Sequence, residues 1–161
     1  MPSTARTLVR VASDHAGFEL KNRLSELLPE IEWQDLGPHN GDSVDYPDYA
    51  AKVAQAVADA EDAGRVPALG VLICGSGIGM CIAANKIPGV RAAVAESPLA
   101  AQLAREHNHA NVLCIGARLS TAEQAVKIIR AWLEATPSEA ARHQLRIEKL
   151  AKLDGLRRKS S

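Results

Sequence analysis

The stretch Val71-Leu72-Ile73-Cys74-Gly75-Ser76-Gly77-Ile78-Gly79 constrains this chain more than any other. An apolar run that ends in a cysteine and breaks into alternating glycines reads as a buried strand turning sharply into a helix. Such a turn aims backbone N–H groups above the sheet, where the unpaired amides of a helix start and the helix dipole suit an anion. Cys74 then stands beside an anion cradle. A titratable nucleophile in that position makes an enzyme the first hypothesis.

Short apolar runs recur on either side of this turn. Leu8 to Ala12, Ile31 to Leu36, Ala68 to Ile73, Ala92 to Ala95 and Asn111 to Ile115 read as strands. Between and after them, Phe18 to Leu28, Tyr49 to Ala63, Ile78 to Asn85, Leu99 to Glu106 and Ala122 to Leu133 carry helical apolar spacing and good helix formers. This βαβα rhythm predicts an α/β fold: a doubly wound, Rossmann-like, five-stranded parallel sheet with helices on both faces and right-handed crossovers. Ligands of such sheets bind beyond the carboxyl ends of the strands, where the strand order reverses. Past Thr136-Pro137, Ser138 can cap an extra helix running to about Leu153 with Glu139 in its first turn. That helix either packs on its own domain or reaches a neighbouring subunit. The remainder, 154–161, ends in Arg157-Arg158-Lys159-Ser160-Ser161 and reads as a frayed tail.

With 161 residues, 47% of them hydrophobic, the chain suits one domain, its core over about 8–135 and the extra helix over about 138–153. Equal numbers of acidic and basic side chains argue against a nucleic-acid or membrane surface and for a small, local ligand. No apolar run is long enough for a bilayer, and Met1 to Thr7 lacks the apolar core of a signal peptide, so a cytoplasmic protein is expected. Cys74, Cys81 and Cys114 are odd in number and lack paired zinc-type spacing, which points to reduced thiols with no structural metal.

Polar groups follow the strands in order. Asp14-His15 comes after the first, Asp45-Tyr46-Pro47 after the second, Cys74-Gly75-Ser76 after the third, Glu96-Ser97-Pro98 after the fourth and Arg118 after the fifth. His107-Asn108 closes the fourth helix, and Arg142 and Arg146 share a face of the last helix with His143 adjacent. Each also has a structural reading: Asp14 as a helix cap, His107 as a dipole partner, the arginines as a solvated face. Cys81 and Cys114 read as inert packing, and His39 and His109 as surface histidines. The conjunction of a thiol, an imidazole, an anion loop and paired guanidinium groups at one edge of one sheet favours a site.

Three rival uses of the turn fail on spacing. A dinucleotide fingerprint needs its third glycine where Met80 stands and normally uses the first βα turn. A cysteine phosphatase loop needs an arginine six residues past its cysteine, again the position of Met80. Cys74 and Cys81 are too widely spaced for a redox Cys-x-x-Cys pair. An acid/base role for Cys74 remains.

From about Leu8 to Leu150 the chain resembles the type B ribose-5-phosphate isomerases and their galactose-6-phosphate isomerase relatives. The resemblance is carried by Ser13-Asp14-His15-Ala16-Gly17-Phe18, Asp45-Tyr46-Pro47, Ile73-Cys74-Gly75-Ser76-Gly77-Ile78-Gly79, Ala83-Ala84-Asn85-Lys86, His107-Asn108, and Arg142-His143-Gln144 with Arg146. It implies interconversion of ribose 5-phosphate and ribulose 5-phosphate, a step of the pentose phosphate pathway, through a cis-enediolate and without metal or organic cofactor. It further implies that Cys74 is the general base between C1 and C2, that His107 helps open the furanose ring, and that Asp14 assists at the ring oxygen or hydroxyls.

By the same resemblance Asn108 binds the sugar and Tyr46 belongs to the substrate-binding groups. Gly75, Ser76, Gly77, Ile78 and Gly79 hold the enediolate oxygen, and His15, Arg118, Arg142 and Arg146 hold the phosphate. The family's active site lies between two subunits of a homodimer, with a tetramer as the larger option, and the last helix is donated across the interface. Ser76 replaces a threonine of some members and keeps the hydroxyl. Another branch has glycine for the cysteine and glutamate at the position of Met80, so this chain sits with the thiol-base branch. Galactose-6-phosphate isomerase subunits depart from His107-Asn108, and allose 6-phosphate stays open as a further substrate. A nucleotide-binding regulatory module and a catalytically inactive homologue are the rival classes.

Overall fold

Val71, Leu72 and Ile73 are wholly enclosed in β3 (Leu69–Cys74), and every residue of β5 (Val112–Gly116) is likewise buried. Strands covered on both faces have no use for alternation, which is why both read as unbroken apolar runs. The computed structural model describes residues 5–158. Among them, β1 (Thr7–Ser13), β2 (Ile31–Asp35) and β4 (Ala92–Val94) complete an all-parallel sheet in the order β2-β1-β3-β5-β4. Both edge strands are short, which limits exposed pairing edges.

Two helices cover one face and three the other. α2 (Tyr46–Asp62) and α3 (Ile78–Ala84) lay Val53, Val57 and Met80 over Ala12, Leu72 and Cys114. α1 (Phe18–Leu27), α4 (Pro98–Asn108) and α5 (Ala122–Glu134) lay Leu24, Ala101, Ile128 and Trp132 over Val11, Ile73 and Leu113. Local chemistry fixes the helix starts: Ser97 caps α4 by accepting the Ala100 N–H, and Thr121 with Gln124 forms a reciprocal capping box on α5. No helix among the described residues is long and apolar enough to cross a membrane.

The connectivity turns back at β1 and β3. β1 leads through α1 to β2 on one side, while β3 leads through α3 towards β4 on the other, so their carboxyl ends flank the switch-point crevice. The sequence reading is met in element order, with most boundaries moved by one or two residues. α2 starts at Tyr46 rather than Tyr49, because Pro47 fits the first turn, where no N–H is needed. The last helix, α6, spans Ala141–Arg158, so it begins later and ends later than expected.

Ser138 does not cap α6, since its Oγ accepts the Ala140 N–H ahead of the helix, and Glu139 lies outside the first turn. The reason is a competing anchor. The Ser138 N–H donates to the Glu106 carbonyl at 2.8 Å, while the Ser138 carbonyl accepts from Gln144 Nε2 at 3.1 Å and His109 Nε2 at 2.9 Å. This ties the α5–α6 connection to the end of α4. Residues 154–158, expected to fray, continue α6, and Lys159, Ser160 and Ser161 lie outside the described residues.

Candidate active site

Cys74 ends β3 with 4% of its surface exposed, and its Sγ accepts the Gly77 N–H at 3.1 Å. The chain folds back this tightly because Gly77 takes φ +77°, a left-handed conformation costly for other residues. Ser76 Oγ accepts the Ile78 N–H at 3.2 Å. Two amides expected in the anion cradle are therefore engaged inside the turn, one of them on the thiol. A side chain at Gly75 would come within 2.9 Å of the Arg118 guanidinium, and one at Gly79 within 2.7 Å of the Tyr46 ring. These glycines let Arg118 and Tyr46 lie directly on the turn.

Across the crevice, the Asp14 N–H donates to the Ile73 carbonyl at 3.1 Å, which joins the ends of β1 and β3. The buried Asp14 carboxylate accepts the Gly17 N–H at 3.0 Å, so it closes the loop before α1 and is not a cap inside the helix. Gly17 is required by proximity: a Cβ there would sit 2.5 Å from the Ile73 carbonyl oxygen. His15 is exposed, with Nδ1 accepting the Val44 N–H at 3.3 Å. Ser13 Oγ beside Asp14 is fully buried without a hydrogen-bond partner among the described residues. Asp14, His15, Tyr46, Cys74, Gly75, Ser76, Gly77, Ile78, Gly79 and Arg118 thus gather at one edge.

His107, Asn108, Arg142 and Arg146 do not join them, contrary to the expectation of a single sheet edge. α4 returns antiparallel to the strands, which carries its last residues, His107 and Asn108, to the amino ends of β4 and β5. There the His107 ring stacks on the buried His143 of α6, with centroids 4.4 Å apart and planes within 10°. Arg142 and Arg146 project from the same end of α6 and are exposed. His109 is half-buried in left-handed backbone at the end of α4, held by Ser138, and is not a free surface histidine. Burial, and then the charges of His107, Arg142, Arg146 and His109, hold the His143 pKa below its ordinary value.

The other thiols differ from each other. Cys81 has its pKa lowered to about 7, first by a hydrogen bond from the Cys114 thiol, while burial pushes Cys114 well up. Cys114 is fully buried, and the Cys81 thiol donates to the Ala92 carbonyl at 3.4 Å and accepts from the Asn85 amide at 3.5 Å. A spacing argument cannot find this pair, since one thiol lies on α3 and the other on β5.

A doubly wound sheet with a thiol, a carboxylate and a glycine turn at its switch point defines an α/β enzyme of small-molecule type. The family model described as Ribose/Galactose Isomerase matches residues 9–150, and the chain belongs to that family. It is similar to ribose-5-phosphate isomerase B of Escherichia coli, 45% identical over 143 residues that cover 88% of this chain and 92% of that protein. The type B ribose 5-phosphate isomerase of Trypanosoma cruzi superposes with a TM-score of 0.86 at 39% identity, covering 94% of this chain and 99% of that one. The Mycoplasma genitalium ribose-5-phosphate isomerase B, solved with bound ribulose-5-phosphate, gives 0.85 at 43% identity, covering 92% of this chain and 97% of that one.

Proposed function

We propose that this chain is an aldose-ketose isomerase that interconverts ribose 5-phosphate and ribulose 5-phosphate through a cis-enediolate. One observation carries the reading: the relative that holds ribulose-5-phosphate shares 43% of its sequence and covers 92% of this chain. In the proposed reaction the Cys74 thiolate removes the C2 proton of the open-chain aldose and returns it to C1, while the hydroxyl proton moves from O2 to O1. Amides of the Gly75 to Gly79 turn left free by the internal hydrogen bonds face the oxygen on which charge develops. Asp14 and Tyr46 position the sugar hydroxyls, and His15 and Arg118 hold the phosphate from the same edge.

His107 donates to the ring oxygen during opening, Asn108 binds the sugar, and Arg142 with Arg146 completes the phosphate clamp. In one chain these groups lie a strand length from Cys74, on the order of 15 Å, too far for one five-carbon sugar phosphate to bridge. We therefore assign the second set to another copy of the chain, in a dimer whose two-fold symmetry completes two equal sites. Unpartnered apolar side chains support this pairing: Ile78 and Ile82 on α3, Leu99 on α4, and Leu150, Leu153 and Leu156 on α6 are 42–62% exposed. Remote binding of the phosphate then helps align C2 with the thiol.

A coupled assay of ribose 5-phosphate, allose 6-phosphate and galactose 6-phosphate, run with a measurement of oligomeric mass, tests the reading. Turnover of ribose 5-phosphate by a dimer or tetramer is expected. Preference for a six-carbon sugar would move the substrate, and no turnover at all would leave an inactive homologue. A fully active monomer would overturn the shared site.

A further inference from the structure

A second concentration of positive charge lies away from both sets of residues. At the amino ends of β1, β2 and β3 a cleft of about 780 Å³ is lined by Arg6, Arg10 and Arg65 together with Glu32, Trp33 and Gln34. Arg10 lies within β1, in register with Gln34 of β2 and Gly70 of β3. It is 92% enclosed, taking its 8% exposed surface from the whole.

Among the described residues Arg10 has no side-chain hydrogen bond, and the ion pairs are Lys21–Asp35, Arg91–Glu61 and Arg130–Glu30. Glu32 on the rim is exposed and pairs with none of the three arginines. Burial first, and then the positive charge of Arg65, lower the Arg10 pKa.

Lys21 shows how the same fold treats a buried cation that it satisfies internally. Its ammonium, 1% exposed, donates to both Asp35 carboxylate oxygens at 2.8 Å and to the Pro38 carbonyl at 2.6 Å. A guanidinium cannot relieve burial by losing its proton, and an enclosed charge with no counter-charge is costly. Arg10 lines a cleft that holds two further arginines and one carboxylate, Glu32, with which it forms no ion pair. A multiply charged oxyanion from solution meets that need, and the arginine fork matches a phosphoryl group.

We propose that this cleft is a second oxyanion site, separate from the Cys74 turn, where Arg10 and Arg65 hold the phosphoryl group of a small metabolite. Two tryptophans make it testable in the intact protein: Trp33 lines the cleft, and Trp132 is fully buried elsewhere. In ¹⁵N-labelled protein titrated with inorganic phosphate and with pyrophosphate, the Trp33 indole signal is expected to shift and saturate while that of Trp132 stays still. Arg10→Met, which keeps the buried stem and removes the charge, should weaken this binding by at least about tenfold and leave isomerase turnover unchanged.

Arg65→Gln, on an exposed residue, weakens binding in the same direction and serves if Arg10→Met folds poorly. The double variant Arg142→Ala/Arg146→Ala should leave the Trp33 titration untouched, which separates this cleft from the sugar-phosphate site. A Trp33 signal that does not saturate overturns the proposal. A response that survives both Arg10→Met and Arg65→Gln, or one given more strongly by citrate than by pyrophosphate, overturns it equally.

Discussion

At the carboxyl edge of the sheet, Cys74, Asp14, Tyr46 and Arg118 are placed by backbone: a ladder end, a left-handed glycine and close approaches at Gly17, Gly75 and Gly79. At the far end of α4, His107, Arg142 and Arg146 depend on how α6 docks, through the His107–His143 stack, the Ser138 anchor and one bond from the Gly89 N–H to Asp154 at 2.9 Å. The first region is a half-site fixed by the ends of β1 and β3, with Cys74 and Asp14 buried and His15 exposed. The second combines an imidazole at the end of α4 with two guanidiniums carried by α6. In the proposed reaction proton transfer at carbon belongs to the first, while the second holds the remote phosphate and, through His107, serves ring opening.

The comparison breaks first at the thiol. Cys74→Ala should lower kcat on ribose 5-phosphate by about 10²- to 10⁴-fold with the fold intact by circular dichroism; near wild-type turnover would remove the base from the first half-site. Mixing Cys74→Ala chains with His107→Asn chains should restore roughly a quarter of wild-type turnover after subunit exchange, because half of the hybrid sites receive both intact halves. No recovery would return both groups to one chain. Arg142→Ala should raise KM about tenfold or more with a smaller change in kcat, the pattern expected when remote binding is lost; a pure kcat defect would contradict the clamp.

Two smaller effects sharpen the contrast. Gly17→Ala forces a methyl against the Ile73 carbonyl and should cost about 1–3 kcal/mol in thermal unfolding, while an alanine at the open Gly155 of α6 should not destabilise. The smallest effect is on pH. His143 has a lowered pKa in the folded chain, so its contribution is fully present above the unfolded value of about 6.5 and declines as pH falls below it. The protection factors of α6 amides should therefore fall below that pH while those of β3 hold, and His143→Gln should remove the difference.

Much of this was written plainly in the residues. Val71 to Ile73 and Val112 to Ile115 are apolar without alternation because both sheet faces are covered, and the glycines after Cys74 mark the switch-point turn. The separation of the candidate residues into two sets was legible too, although only through direction. A helix that follows a parallel strand must run back, so His107 at its end cannot share an edge with Cys74 in the same chain. What no local pattern carries is the outcome of docking. Ser138 would cap a helix had Glu106, His109 and Gln144 not claimed its backbone, and Arg10 looks like one polar interruption of an apolar strand until its neighbours prove to be arginines.

Division of one active centre between two copies, as proposed above, would make the catalyst a bimolecular object. Below the dissociation constant of the pair, specific activity should fall with dilution even though every chain remains folded. In the proposed dimer a sugar phosphate seated between the thiol of one copy and the arginines of the other would touch both, and so act as an adhesive as well as a reactant. Turnover of a diluted sample should then show a lag that shortens as sugar phosphate is raised, and abundance of the metabolite would itself set how much enzyme is assembled.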